Sequence, residues 1–172
     1  MPLNGRNSLL AMVEIKDDII TPYHQERLKE LINSIHFPWY FNETTLGGGG
    51  YDAFQFIHLL MKGDHTSEWY ESIIHCFTIL PEFRTHRLVR AKLNLHTPYK
   101  KKIKPLFHED SDKGISYIYY FIDSDGPTLF KGKKVQPKQG RIIRFPANQL
   151  HSGSYPHKYD KRIVLNLLFE PK

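Results

Sequence analysis

The stretch "PLFHEDSDKGISYIYYFIDSD", residues 105–125, sets a histidine two positions before an aspartate and then runs at once into a β-branched and aromatic segment. On a strand, the two-residue period points His108 and Asp110 to the same face. Such a pair is either two metal ligands awaiting a third or an orienting hydrogen-bonded pair with no metal. Alone the pattern is weak. With ten histidines and nine aspartates in 172 positions, chance supplies roughly half a match. His24 and Glu26 form a similar pair inside a helical pattern, where two-residue spacing puts them on different faces.

The surrounding pattern supplies the context. "LVRAKLNLH" alternates strictly, with Val89, Ala91, Leu93 and Leu95 on one face and Arg90, Lys92, Asn94 and His96 on the other. "ISYIYYFI", "GPTLF", "KVQP", "GRIIRF" and "KRIVLNLLFE" are further strand-length segments bounded by Gly, Pro, Asp or Asn. Upstream, residues 9–15 read as a first strand. "TPYHQERLKELINSI" reads as a helix capped by Thr21, with Pro22 in its first turn and an apolar stripe of Leu28, Leu31, Ile32 and Ile35. "FPWYFNETTLGGGGYD" reads as an aromatic-rich loop, whose Gly47–Gly50 run is either a plain surface loop or an active-site lid. A second helix is expected over "SEWYESIIHCFTIL", capped by Ser67, with Trp69, Ile73, Phe77 and Leu80 on one face and Cys76 inside it as a small core residue. Helices followed by short strands predict an α+β arrangement whose body is an antiparallel sandwich or barrel.

Composition bounds the function. The chain of 172 residues, 40% hydrophobic and 24% charged, reads as one domain able to bury a core, not as a disordered segment. No apolar run approaches the ~20 residues of a membrane span, and the N-terminus lacks the pattern of a secretory signal. A single cysteine, Cys76, excludes an internal disulfide and a thiolate zinc cluster. A reducing, cytoplasmic setting is the expectation. The net charge of +6 is concentrated in "YKKKIK" (99–104) and "KGKK" (131–134). These read as solvated loops; a nucleic-acid footprint is the sharper alternative, without an accompanying motif.

A third ligand candidate, His151, lies 41 positions after Asp110 in "FPANQLHSG", directly after a strand, and Arg162 follows eleven positions later at the head of "RIVLNLLFE". Two histidines and a carboxylate on neighbouring strands make the facial triad of a non-haem Fe(II) site. A nearby arginine can grip the far carboxylate of an anionic cosubstrate in two-pronged fashion. His157 competes as third ligand, but "SYPHKYDKR" reads as an exposed turn too close to Arg162.

The strings "HED", "YIYYFIDSDGPTLF", "VQPKQGRIIRFPANQLHSG" and "KRIVLNLLFE" resemble, in order, core elements of the 2-oxoglutarate/Fe(II)-dependent oxygenases, prolyl-4-hydroxylase-like branch. "EIKDDIITPYHQERLKELI" with "FPWYF" is similar to the small oxygenases of marine bacteriophages. The resemblance implies a double-stranded β-helix (jelly-roll) core over about 88–172 behind a helical N-terminal part, about 1–87. It implies Fe(II) held by His108, Asp110 and His151, with 2-oxoglutarate and O2 as cosubstrates. By the same resemblance, Arg162 and Tyr120 bind the far carboxylate of 2-oxoglutarate. Asn166, four positions along the same strand face, can line that pocket. Where the family often carries a tyrosine on the preceding strand, this chain has His96, with Asn94 two positions earlier; both can hydrogen-bond a carboxylate. The implied reaction hydroxylates a C–H bond, of a prolyl or other peptidyl side chain, with release of succinate and CO2. The rivals are a non-catalytic jelly-roll binding protein, gripping nucleic acid through its basic loops, and a cupin-type metal enzyme with no need of Arg162.

Overall fold

A computed structural model describes residues 13–44, 54–99 and 103–172. Its elements are β1 (Glu14–Asp17), α1 (Pro22–Asn33), β2 (Tyr40–Asn42), β3 (Gln55–Lys62), β4 (His65–Thr66), α2 (Tyr70–Ile74), α3 (Glu82–Thr85), β5 (His86–His96), β6 (Ile115–Tyr120), β7 (Thr128–Phe130), β8 (Lys133–Val135), β9 (Arg141–Pro146), β10 (His151–Gly153) and β11 (Arg162–Pro171). A large sheet runs β1-β9-β6-β11-β5-β3-β2, with β4 paired to β3, and a small sheet runs β10-β7-β8. Every paired strand is antiparallel. This is the α+β, jelly-roll arrangement the sequence predicts.

Alternation along the central strands sorts side chains into two cores. On the helix side, Leu93, Tyr117, Tyr119, Leu165 and Leu167 pack with Leu28 and Ile32 of α1 and with Ile73 and Phe77. On the opposite side, Ile118, Tyr120, Phe130, Val135, Phe145 and Val164 form a second cluster that joins the two sheets. Each of these buried aliphatics contributes about 1.5–3 kcal/mol of transfer free energy.

α1 begins as expected. Thr21 Oγ1 accepts from the His24 amide at 3.4 Å, and Pro22 occupies the first turn. The helix stops at Asn33, so its apolar stripe ends at Ile32 and Ile35 is left exposed. Gln25 is buried beneath the β8–β9 turn, donating to Asp18 at 2.8 Å and to the Ile20 carbonyl at 3.0 Å. The turn approaches so closely that a Cβ on Gly140, whose φ is +79°, would lie 2.6 Å from the Gln25 amide.

Several expectations need correction. The first strand lies at Glu14–Asp17, and residues 9–12 of the expected strand fall outside the described residues. The second helix is only Tyr70–Ile74, continued by a tighter turn over His75–Phe77. Ser67 caps no long helix; its Oγ accepts from the Trp69 amide at 3.3 Å and its carbonyl from Tyr70 at 3.1 Å. Ile73, Phe77 and Leu80 are buried as predicted, and Cys76 packs against this core with its thiol pushed up by burial. The part read as helical also contains β2, β3 and β4. β3 escaped the alternation test because its register shifts between Leu59 and Met61, so the consecutive Leu60 and Met61 are both buried. The Gly47–Gly50 run and Lys100–Lys102 lie outside the described residues. No described helix is long and apolar enough to cross a membrane.

Candidate functional site

The inner face of β5 carries Arg90, Lys92, Asn94 and His96 into the space between the sheets, as the strict alternation of "LVRAKLNLH" requires. β11 faces it with Arg162 opposite His96, Val164 opposite Asn94 and Asn166 opposite Lys92. β6 adds Ile118 on the other flank of β11, and β10 adds His151 from the small sheet. Together they bound a cavity of about 780 Å³ open to solvent.

His108, Asp110 and His151 converge at one end of it, their ligand atoms all within 4.8 Å of one another. His108 belongs to no regular strand. It pairs as an isolated bridge with His151, each amide donating to the other's carbonyl at 3.0 Å, and the Asp110 amide is tied to the Ala147 carbonyl at 2.9 Å. The two imidazoles lie 4.4 Å apart, centroid to centroid. His151 Nδ1 sits 2.9 Å from the Gln149 carbonyl and His108 Nδ1 3.4 Å from the Leu106 carbonyl. A carbonyl only accepts, so both Nδ1 atoms carry the proton and both Nε2 lone pairs are free to ligate. Burial, and next the neighbouring His151, hold His108 below the ordinary histidine range. This favours the neutral form a ligand needs.

Asp110 is almost wholly enclosed, its side chain 3% exposed. Arg90 Nη2 donates to Oδ1 at 2.5 Å, while Ser116 Oγ at 2.6 Å and Asn166 Nδ2 at 3.3 Å donate to Oδ2. Burial opposes its ionisation, but Arg90, His151 and these hydrogen bonds outweigh burial, and the carboxyl is held below its usual value. Two imidazole nitrogens and one carboxylate are the donor set of a facial Fe(II) site, and these residues fit that metal.

Arg162 marks the other end. It is 2% exposed, yet no described carboxylate pairs with it. Nε donates to the Gly126 carbonyl at 2.8 Å, Nη2 to Thr128 Oγ1 at 2.9 Å, and Nη1 lies 3.5 Å from His96 Nδ1. Gly153 makes room for it, since a Cβ there would stand 3.3 Å from Nη1. Burial, then Arg162 and Lys92, push His96 down to about 3, so it is neutral. Its ring meets Tyr155 edge-on at 4.8 Å. A guanidinium buried with only neutral acceptors is costly, and an anionic ligand entering the cavity is the natural complement.

The remaining predicted residues are distributed as follows. Asn94 lines the cavity and donates to Gln55 Oε1 at 2.7 Å. Tyr120 stands behind Arg162, 5.8 Å from its ring centroid to the guanidinium carbon, and its hydroxyl donates to Thr128 at 2.6 Å without itself lining the cavity. Asn166 is grouped with Asp110 and Arg90, away from Arg162. His157 is exposed, its amide donating to Asp125. The sequence reading missed Arg90, Lys92, Ser116, Thr128 and Tyr155 as site residues. Arg90 and Lys92 were legible, being on the same strand face as His96; Thr128 in "GPTLF" carried no signal.

No family model and no curated protein matches the chain. Solved structures do. A Pseudomonas putida prolyl-4-hydroxylase superposes with a TM-score of 0.63 at 13% identity, covering 94% of each chain. A Trichoplax adhaerens prolyl hydroxylase in complex with a hypoxia-inducible-factor peptide gives 0.68 at 11%, covering 92% of this chain and 83% of that one. A nogalamycin-pathway epimerase in complex with Fe3+, α-ketoglutarate and nogalamycin RO gives 0.65 at 12%, covering 94% and 79%. The chain has the fold these proteins share. Since they include hydroxylases and an epimerase, fold alone does not name a reaction.

Proposed function

We propose that residues 1–172 form a single oxygenase domain dependent on Fe(II), 2-oxoglutarate and O2. The observation that carries this reading is the pairing, in one cavity, of a two-histidine, one-carboxylate cluster with a buried arginine that no described carboxylate pairs with. His108, Asp110 and His151 would hold the metal. Fe(II) bound there would supply O2 activation coupled to decarboxylation of 2-oxoglutarate to succinate and CO2, and oxidation of a substrate C–H bond.

The chain's own groups have distinct tasks. Gln149 and Leu106 carbonyls keep both imidazoles in the ligating tautomer, and Arg90, Ser116 and Asn166 fix the Asp110 carboxylate in its ionised form. Arg162 would bind the far carboxylate of 2-oxoglutarate, with neutral His96 beside it and with Thr128 and Tyr120 bracing the guanidinium from behind. Asn94, between the two ends, can donate to the same ligand. Ile118 and Val164 give the middle of the cavity dry walls. A cupin-type enzyme has no use for Arg162, which is why that alternative is set aside. A prolyl or other peptidyl side chain is the proposed target class, supported by the two prolyl hydroxylases of like fold. The lone half-buried Cys76 supports a cytoplasmic setting.

The test is turnover of 2-oxoglutarate labelled at its first carbon, with release of labelled CO2 followed with and without Fe(II). Iron-dependent release that disappears in His108→Ala supports the reading. Release independent of iron, or unchanged in that variant, contradicts it.

A further inference from the structure

The triad end of the cavity holds more positive charge than the oxygenase reading uses. On β5, Lys92 lies two positions from Arg90 on the same face, and β3 places Lys62 directly opposite Arg90. These three and Lys104 all line the cavity. Arg90 is committed to Asp110 and Asn166, and its Nε–H is buried without a partner. Lys92 is half-buried and makes no hydrogen bond or ion pair with any described residue. Burial, and next Arg90, lower its ammonium to about 8, low for a lysine but still mostly charged at neutral pH.

Charge matching shows what is left over. A divalent metal and a dianionic 2-oxoglutarate cancel, Arg90 answers Asp110, and Glu109 answers one further cation. Of Lys62, Lys92, Lys104 and Arg162, three charges remain in excess among the described lining residues. Lys92 is also well placed relative to the triad. It faces Asn166, the residue that holds Asp110, across one strand spacing of about 4.8 Å. Arg162 lies four residues further along β11, about 13 Å away, so one cosubstrate carboxylate cannot satisfy both cations. Asp110 attracts this ammonium from a distance, but no described carboxylate meets it at ion-pair distance, and a half-buried ammonium in that position is stabilised by an anion that joins it.

We infer that the primary substrate carries an anionic group, a carboxylate or a phosphate, which Lys92 binds with Lys62 beside it, presenting the neighbouring C–H bond to the triad. The inference rests on the oxygenase reading and narrows it, since an uncharged target would leave this end of the cavity unmatched.

The test uses the full chain loaded with Zn(II), which is diamagnetic and does not turn over, and saturated with 2-oxoglutarate. Inorganic phosphate is titrated in one arm and acetate in another, and backbone amide shifts on β3 and β5 are followed. The expected result is saturable shifts on those strands, at least tenfold weaker binding in Lys92→Met, recovery in Lys92→Arg, and unchanged 2-oxoglutarate affinity in both variants. A preference for phosphate assigns a phosphorylated substrate; equal binding of acetate assigns a carboxylate. No saturable shifts in the wild type, or equal binding in Lys92→Met, would overturn the inference. So would a loss of 2-oxoglutarate affinity in Lys92→Met, which would assign Lys92 to the cosubstrate. If Zn(II) and 2-oxoglutarate fail to bind while phosphate still depends on Lys92, the oxygenase reading fails and the anion site stands.

Discussion

Replacing Arg162 by methionine separates a ligand-binding arginine from a structural one, because the two roles predict opposite changes. The guanidinium is 2% exposed and its described bonds go to neutral oxygens, the Gly126 carbonyl and Thr128 Oγ1. Replacing buried ionic groups by apolar side chains of similar volume is often neutral or stabilising by about 1–4 kcal/mol, and the same range applies to this guanidinium. Orphaning the Gly126 carbonyl costs about 1–3 kcal/mol, while Thr128 Oγ1 keeps the Tyr120 hydroxyl at 2.6 Å. These opposed effects largely cancel and leave ligand-free stability within about 3 kcal/mol of wild type. Binding of 2-oxoglutarate loses a charge-assisted contact of about 1.5–3 kcal/mol, a roughly 10- to 150-fold weakening. The assay is urea unfolding without ligands, followed by calorimetric titration of 2-oxoglutarate in the presence of Mn(II). Arg162→Lys should fall between, since it keeps the charge and loses the fork. Unfolding destabilised by more than about 3 kcal/mol with 2-oxoglutarate affinity intact would refute the reasoning, because breaking a structural ion pair costs that much.

Other perturbations test neighbouring parts. Ser116→Ala removes the 2.6 Å bond to Asp110 Oδ2 and should lower Mn(II) affinity by about tenfold or more, measured by calorimetry, with the fold retained by circular dichroism. Gly153→Ala places a methyl group 3.3 Å from Arg162 Nη1; the guanidinium is pinned on its far side, so 2-oxoglutarate binding should weaken several-fold while metal binding is untouched. Asp17 anchors β1 through Arg141 and Lys138, whose hydrogen bonds lower its carboxyl from 3.8 to about 2. A depressed folded-state pKa stabilises the protein above the unfolded value and loses that contribution as pH falls from about 4 toward 2. The stability difference between wild type and Asp17→Asn in urea should therefore be constant above pH ~5 and shrink below pH ~4; a difference that persists undiminished in acid would show that the ion pair is not its source.

Where the period held, the fold was legible. "LVRAKLNLH" assigned the faces of β5 correctly from Arg90 to His96, with Leu93 on one side and His96 on the other, but a register shift skips Val89, so that Leu88 and not Val89 packs against the helix-side core. Thr21 and Pro22 announced α1 through local capping chemistry. β3 was lost because a bulge between Leu59 and Met61 breaks the two-residue period, and the helix end because Ile35 prolonged an apolar pattern that the backbone did not follow. The site was legible where ligand chemistry is distinctive, in the convergence of His108, Asp110 and His151. Its supports were not. Ser116, Thr128 and Tyr155 are common residue types whose importance comes from tertiary proximity, as with the Thr128 hydroxyl shared by Arg162 and Tyr120. Tyr120 shows the converse: a residue singled out by likeness proves to stand one layer behind the cavity wall.

The most direct measurement is an anaerobic titration of the protein with Fe(II) and 2-oxoglutarate, watched in the visible for the weak charge-transfer band of a chelated 2-oxo acid. The account predicts a saturable band in the wild type, none in His108→Ala, and in Arg162→Met a band that needs roughly 10- to 150-fold more 2-oxoglutarate. The absence of any band at saturating Fe(II) and 2-oxoglutarate, or an undiminished band in His108→Ala, would contradict it.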